Sequence, residues 1–183
     1  MYLTENDLWA ILLPLVRAAV ANMEGETPRV VRAFTPDVQH NEGTPRVALH
    51  RVASRRYGAQ GTEQDWRVDA AGNGRMIETS VWRKEDTYRI YAYAERAPED
   101  DGYTAKDLLE AVAAFFQGRQ GLEALRAEGI GILRVTDITE TPFLNDQERH
   151  EFGHHIDCIL TYRQERERAI PVATTIERKV YRV

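Results

Sequence analysis

The sequence has one cysteine, no long apolar run and no excess of positive charge, and each shortage excludes a class of protein. Cys158 alone cannot build a disulfide framework within the chain, which favours a cytoplasmic origin. The apolar stretch 8–16 is far shorter than the roughly 20 residues that cross a bilayer, so we expect no membrane contact. With 24 Lys and Arg against 29 Asp and Glu, the net charge of -5 argues against a dedicated nucleic-acid binder.

What remains is the composition of a globular protein, with 43% hydrophobic and 29% charged residues in a chain of 183. This length suits a single domain, 1–183, that can bury a proper core. Apolar residues at helical spacing predict helices over 4–23, 104–118 and 121–128. Thr4 and Thr104 each precede an aspartate by three residues, which indicates N-terminal capping, and Pro14 predicts a kink or break in the first helix. Gly129 is expected to end the third helix in the left-handed conformation.

The rest of the chain alternates in ways typical of β-strands. Residues 24–45 contain three prolines and read as a long loop with a short extended piece at 29–33. Residues 46–82 predict an extended hairpin arm, with strands at 46–57 and 75–82 around a polar, glycine-bearing segment. Further strands are predicted at 88–94, 130–139, 154–163 and 174–183, with a turn near 142–147 and a solvated turn or edge at 164–168. The fold class is therefore α+β, with a mixed, mostly antiparallel sheet, helices packed on one face, and the hairpin arm.

The hairpin arm carries the sequence's only interleaving of basic and aromatic residues, a pattern also found in nucleic-acid grooves. Glu63, Asp65 and Asp69 dilute its charge, so a solvated face or a protein contact is favoured over DNA binding. We therefore expect a partner interface at Arg51, Arg55, Arg56, Tyr57, Trp66 and Arg67.

One short motif points elsewhere, because His150, Glu151 and His154 spell the H-E-x-x-H pattern of zinc proteases. On a helix the two histidines share one face. However, the following alternation, with Ile156, Cys158 and Leu160 on one side, predicts a strand, in which the two histidines lie about 13 Å apart. The positions where metzincins place a glycine and a third histidine hold Asp157 and Leu160, so we expect no zinc and no catalytic, cofactor or metal site.

Taken together, the series YRIYAYAERA, the helix pair DLLEAVAAFFQGRQGLEALRAEGIGILRV, the segment HIDCILTYRQ and the closing strand resemble the neck or tail terminator proteins of tailed bacteriophages. The resemblance covers roughly 75–183 and rests on the order of elements. It implies a non-enzymatic structural virion protein without cofactors, which forms a homo-oligomeric, usually hexameric, ring between the tail tube protein and the head-side connector. It also implies that DNA passes through without being read, and a location at the tail and neck junction after assembly in the bacterial host cytoplasm.

An acidic protein lining a DNA conduit repels phosphate and lets the duplex slide, which agrees with this role. Two alternatives stay open at the level of sequence. One is the H-E-x-x-H zinc metalloprotease, and the other is a cytoplasmic adaptor that binds one partner protein.

Overall fold

The structure of the chain, a computed structural model, describes residues 3–23, 27–33, 45–68, 72, 74–94, 102–144 and 150–171. These residues form three helices and six strands. The helices are α1 (Glu5–Val20), α2 (Ala105–Gln117) and α3 (Arg119–Ala127). The strands are β1 (Arg29–Arg32), β2 (Arg46–Val68), β3 (Gly74–Tyr93), β4 (Ile130–Val135), β5 (Thr139–Leu144) and β6 (His150–Ile170).

The six strands form one mixed sheet in the order β1-β2-β3-β6-β4, with β5 also paired to β6. Only β1 and β2 run parallel, and the other pairs are antiparallel. Strand β3 lies at the centre, as expected from its dense β-branched and aromatic residues between Tyr88 and Ala94. The predicted α+β class is confirmed.

Both predicted capping boxes are present. The Thr4 hydroxyl accepts a hydrogen bond from the Asp7 backbone N–H while the Asp7 carboxylate accepts from the Thr4 backbone N–H, and Thr104 and Asp107 do the same for α2. Each box satisfies backbone donors that the first helical turn leaves without partners. Helix α1 runs through Pro14 without the break that the proline predicted. Gly129 has a φ of 72°, so the left-handed end of α3 is confirmed.

The core lies between the helices and one face of the sheet. Alternation in β3 and β6 turns every second side chain toward the helices. The residues of these two strands that are buried there are Tyr88, Ile90, Ala92, Ile156, Cys158, Leu160 and Tyr162. They pack with Leu8, Leu12 and Val16 of α1 and with Leu108, Leu109 and Val112 of α2. The register predicted for the Cys158 strand is therefore confirmed, and burial raises the pKa of its thiol to about 12.

Several predicted boundaries are wrong. Most of the errors are strands predicted too short, whereas the strand predicted at 130–139 ends earlier, because β4 stops at Val135. The predicted strands 75–82 and 88–94 are parts of the continuous β3, and β2 continues to Val68. The segment 164–168, predicted as a turn or edge, continues β6 to Ile170 and pairs with β3. Thr139–Leu144 is a strand that includes Pro142, where a turn was predicted. The short piece at 29–33 is confirmed as β1, whereas most of the predicted loop and the predicted terminal strand lie outside the described residues.

Candidate partner-binding surface on the arm

The far half of the sheet forms a three-stranded ribbon that we call the arm, made of residues 55–68, 74–85 and 163–170. The predicted hairpin supplies two of its strands, and the end of β6 supplies the third by pairing with β3 from Met76 to Trp82. Positions 58–68 of β2 are exposed throughout. Helices cover one face of the other half of the sheet, whereas β2 is exposed along the arm.

Both long edges of the arm lack a partner strand within the described residues. On one side β1 pairs with β2 only from Arg46 to Leu49, and on the other β4 pairs with β6 no farther than Tyr162. Open edges present rows of backbone donors and acceptors that can pair with another chain. The two edges differ in sequence, because one belongs to β2 and the other to β6.

All six predicted interface residues lie on β2. Three of them, Arg51, Arg55 and Arg67, form ion pairs with other residues of the chain. The Arg51 Nη2 lies 2.8 Å from the Glu5 Oε2, and its Nη1 lies 3.8 Å from the Asp86 Oδ2. Arg51 therefore ties the base of the arm to the first turn of α1. Tyr162 also contacts Asp86, since its hydroxyl donates a hydrogen bond to this fully buried carboxylate at 3.0 Å.

The remaining arginines pair across strands. Arg55 bonds the buried Glu85 carboxylate at 2.6 Å, and Arg67 reaches across β3 to Glu167 at 2.9 Å. The Glu167 hydrogen bond is the main cause that raises the pKa of Arg67. These pairs neutralise much of the positive charge that the sequence displayed, so a continuous basic track along the arm does not form.

Arg56, Tyr57 and Trp66 are the members of the predicted set that lie outside these ion pairs. The Arg56 guanidinium stacks 4.6 Å from the ring centre of Trp82, Tyr57 is half-buried, and Trp66 is 51% exposed. The Trp66 indole lies over Gly74, where a Cβ atom would overlap the ring. Exposed tryptophan and stacked arginine are the residue types that anchor protein interfaces.

Sequence reasoning missed the residues that face Arg56 from the other two strands. Trp82, Arg166 and Arg168 lie on the same face as Arg56, because they alternate on paired strands. The sequence did contain a signal for this strand. The charges of 164–168 alternate in sign from residue to residue, and a repeat of two residues is typical of a β-strand. The run was interpreted as a solvated turn or edge, which is why the third strand of the arm was overlooked.

A second cluster occupies the face of the sheet opposite to α1, α2 and α3. Arg89 makes two parallel hydrogen bonds to Asp157, at 2.8 and 2.9 Å, and these lower the pKa of the Asp157 carboxyl. Beside them the ring of Tyr91 lies 5.7 Å from His155 and 6.4 Å from Tyr93. Burial lowers the pKa of His155. His155 is buried and the other members are half-buried, so the cluster stabilises this face of β3 and β6.

The H-E-x-x-H segment lies at the start of β6, so the helix that a zinc-protease site needs is not present there. The backbones of His150 and Glu151 pair with Leu144 and Phe143. The His154 Nε2 lies 3.1 Å from the Glu140 carboxylate on the neighbouring strand. Within the described residues no three His, Cys, Asp or Glu side chains come together as metal ligands, and no described helix is long and apolar enough to cross a membrane.

Comparisons with known proteins agree with the resemblance drawn from the sequence. A family model described as E217 gateway protein gp29 matches residues 7–172. Among solved structures, the chain is similar to a sheath/tube terminator of the PVC extracellular contractile injection system in its extended state. The TM-score is 0.51 at 14% identity, over 100% of this chain and 66% of that one. The chain thus spans just under two thirds of that terminator, and the likeness shows a shared fold. No curated protein matches the chain.

Proposed function

The chain belongs to the family of the E217 gateway protein gp29, a family of phage structural proteins, and we propose that it caps the phage tail tube and joins it to the neck. In this proposal copies of the chain form a ring, hexameric as in the terminator proteins it resembles, and DNA passes through it. The observation that carries the proposal is the family match over nearly the whole chain. The proposed role is structural, without a catalytic step or a cofactor.

The two edges of the arm, which have no partner strand in the part of the chain that the structure describes, support a ring. A closed ring needs two different surfaces on each subunit, so that each copy offers one and receives the other. The outer edge of β2 and the outer edge of β6 are two such surfaces, and main-chain pairing between them would extend the sheet from one copy to the next. Trp66 and Tyr57 add side-chain contacts at this edge.

The charge of the chain supports passage of DNA without binding. With a net charge of -5, and with Arg55 and Arg67 of the arm paired to carboxylates, the arm offers fewer free cations for counterion release. A duplex in contact with such a surface is free to slide. The partners that follow are the tail tube protein on one side and the head-side connector on the other, in the virion, after assembly in the host cytoplasm.

Deleting the gene from the phage that carries it tests the proposal. We expect tails of uncontrolled length, or heads and tails that fail to join, seen by negative-stain electron microscopy. Joined tails of normal length in the deletion would refute the role and favour an adaptor that binds one partner in the cytoplasm.

Charge reversal then tests whether the arm is part of the interface. Arg55→Glu with Arg56→Glu is expected to reproduce part of the deletion defect, whereas Arg119→Glu is not, because Arg119 is an 89% exposed residue of α3 outside the arm. Since Arg55 also holds Glu85, circular dichroism of the purified double variant must first show that the fold is retained. If the double variant assembled as well as Arg119→Glu, the arm would not be part of the interface.

A further inference from the structure

One face of the arm contains an open cavity of about 410 Å³, which we call the arm cup. All three strands of the arm contribute to it. Its main lining residues are Arg56, Glu78, Ser80, Trp82, Arg166 and Arg168. Cavities of a few hundred Å³ are the size that proteins use to hold a side chain or a small ligand.

The strand register brings these side chains together. Ser80 is paired directly with Arg166, and Glu78 with Arg168. Trp82 is paired with Gln164, two residues before Arg166, so Trp82 and Arg166 point to the same side of the sheet. Arg83 follows Trp82 and therefore points to the opposite side.

The floor of the arm cup is held in place. The Trp82 indole N–H donates to the Gln164 Oε1 at 2.9 Å, and the Gln164 Nε2 donates to the backbone carbonyl of Leu3 at 3.2 Å. Both side chains are buried, and Leu3 belongs to the core next to α1. The aromatic floor is thus anchored to the helical layer, which reduces the entropy lost when a ligand is held there.

The charges of the arm cup leave two arginines for a ligand. Arg168 and Glu78 satisfy each other at 2.7 Å, and Glu167 turns to Arg67. Arg56 stacks on Trp82, an arrangement that keeps the in-plane N–H donors of a guanidinium available. Within the described part of the chain no salt bridge engages Arg166, which is exposed. Two arginine forks over an aromatic floor suit a planar anion that accepts paired hydrogen bonds.

We propose that the arm cup binds a carboxylate-bearing segment of a partner protein, with Arg56 and Arg166 holding the acidic side chain above Trp82. A carboxylate matches the guanidinium geometry and fits a cavity of this size. A nucleic-acid backbone fits less well, because Arg168 and Arg67 are paired with Glu78 and Glu167, so the arm cup lacks the continuous row of free cations that successive phosphates need. The proposal concerns the chemistry of the site and holds whether or not the chain forms a ring.

The test uses the full chain and follows the indole N–H of Trp82 by two-dimensional ¹H–¹⁵N NMR, with the signal assigned through Trp82→Phe. The probes are an acetylated tri-glutamate amide and the matching tri-glutamine amide. We expect a saturable shift of the Trp82 signal with the glutamate peptide and none with the glutamine peptide. Arg166→Gln and Arg56→Gln should each raise the Kd about tenfold, the loss expected for one charge-assisted contact.

Arg83→Gln is the matched control, since it removes an exposed arginine from the same strand as Trp82 on the opposite face, and it should leave the Kd within about twofold. Equal shifts with both peptides, no shift with either, or equal weakening by Arg83→Gln would overturn the proposal. So would a short DNA duplex that moves the Trp82 signal at lower concentration than the glutamate peptide. The NMR spectrum of each variant reports at the same time that the fold is kept.

Discussion

Truncating Leu160 to alanine tests the placement of the core most directly. Leu160 is 0% exposed in the middle of β6, among core residues from the helices and from β3. The change removes three buried carbon atoms, which at about 0.8 kcal/mol each is about 2.4 kcal/mol of lost transfer free energy. The cavity left behind adds to this, so we expect the free energy of unfolding to fall by about 2.5 to 5 kcal/mol.

Ile159→Ala provides the control on the neighbouring residue. Ile159 points to the face opposite to the helices and is half-buried, so its truncation should cost less than about 1.5 kcal/mol. Denaturant unfolding followed by circular dichroism measures both values, and unchanged slopes against denaturant show that the same transition is compared. A loss below about 0.5 kcal/mol for Leu160→Ala would refute the packing described here, because a strand shifted by one residue exchanges the two faces.

Three further changes test other parts of the fold. Thr104→Ala removes the side-chain half of the cap that Asp107 completes, so thermal unfolding should show a loss of about 1 kcal/mol, and an unchanged midpoint would contradict the capping box. Tyr162→Phe deletes the hydroxyl that donates to buried Asp86 and should cost about 1.5 to 3 kcal/mol in denaturant unfolding, whereas a neutral result would mean that water replaces the bond. Burial lowers the pKa of His155 in the folded state, so the unfolded chain binds more protons below its unfolded value of about 6.5, and stability should fall as the pH drops through that value toward the lower folded pKa. His155→Gln should flatten the curve of unfolding free energy against pH in that window, and identical curves for both proteins would contradict the shift.

Local patterns were sufficient for the helices and for the direction in which the central strands face. Several features depend only on residues a few positions apart in the chain, so the sequence predicts them directly. They are the two Thr-x-x-Asp caps, the left-handed Gly129 and the buried side of β6. For the same reason, the α+β class and the resemblance to terminator proteins could be predicted from the sequence. Nothing in these features depends on which strand pairs with which.

The arm and its cup depended on tertiary structure. The charged run 164–168 has the composition of a turn, and only its pairing with β3 from Glu78 to Trp82 makes it a strand. Likewise His150 and Glu151 belong to a sequence motif that zinc proteases place on a helix, but antiparallel pairing with β5 holds them in an extended conformation. Strand pairing joins residues far apart in the chain, and its backbone hydrogen bonds are indifferent to side-chain type, so local composition cannot reveal it. The sequence by itself thus determined the helices and the facing of the core, while the pairing of distant strands decided which arginines are neutralised and which remain to meet a partner.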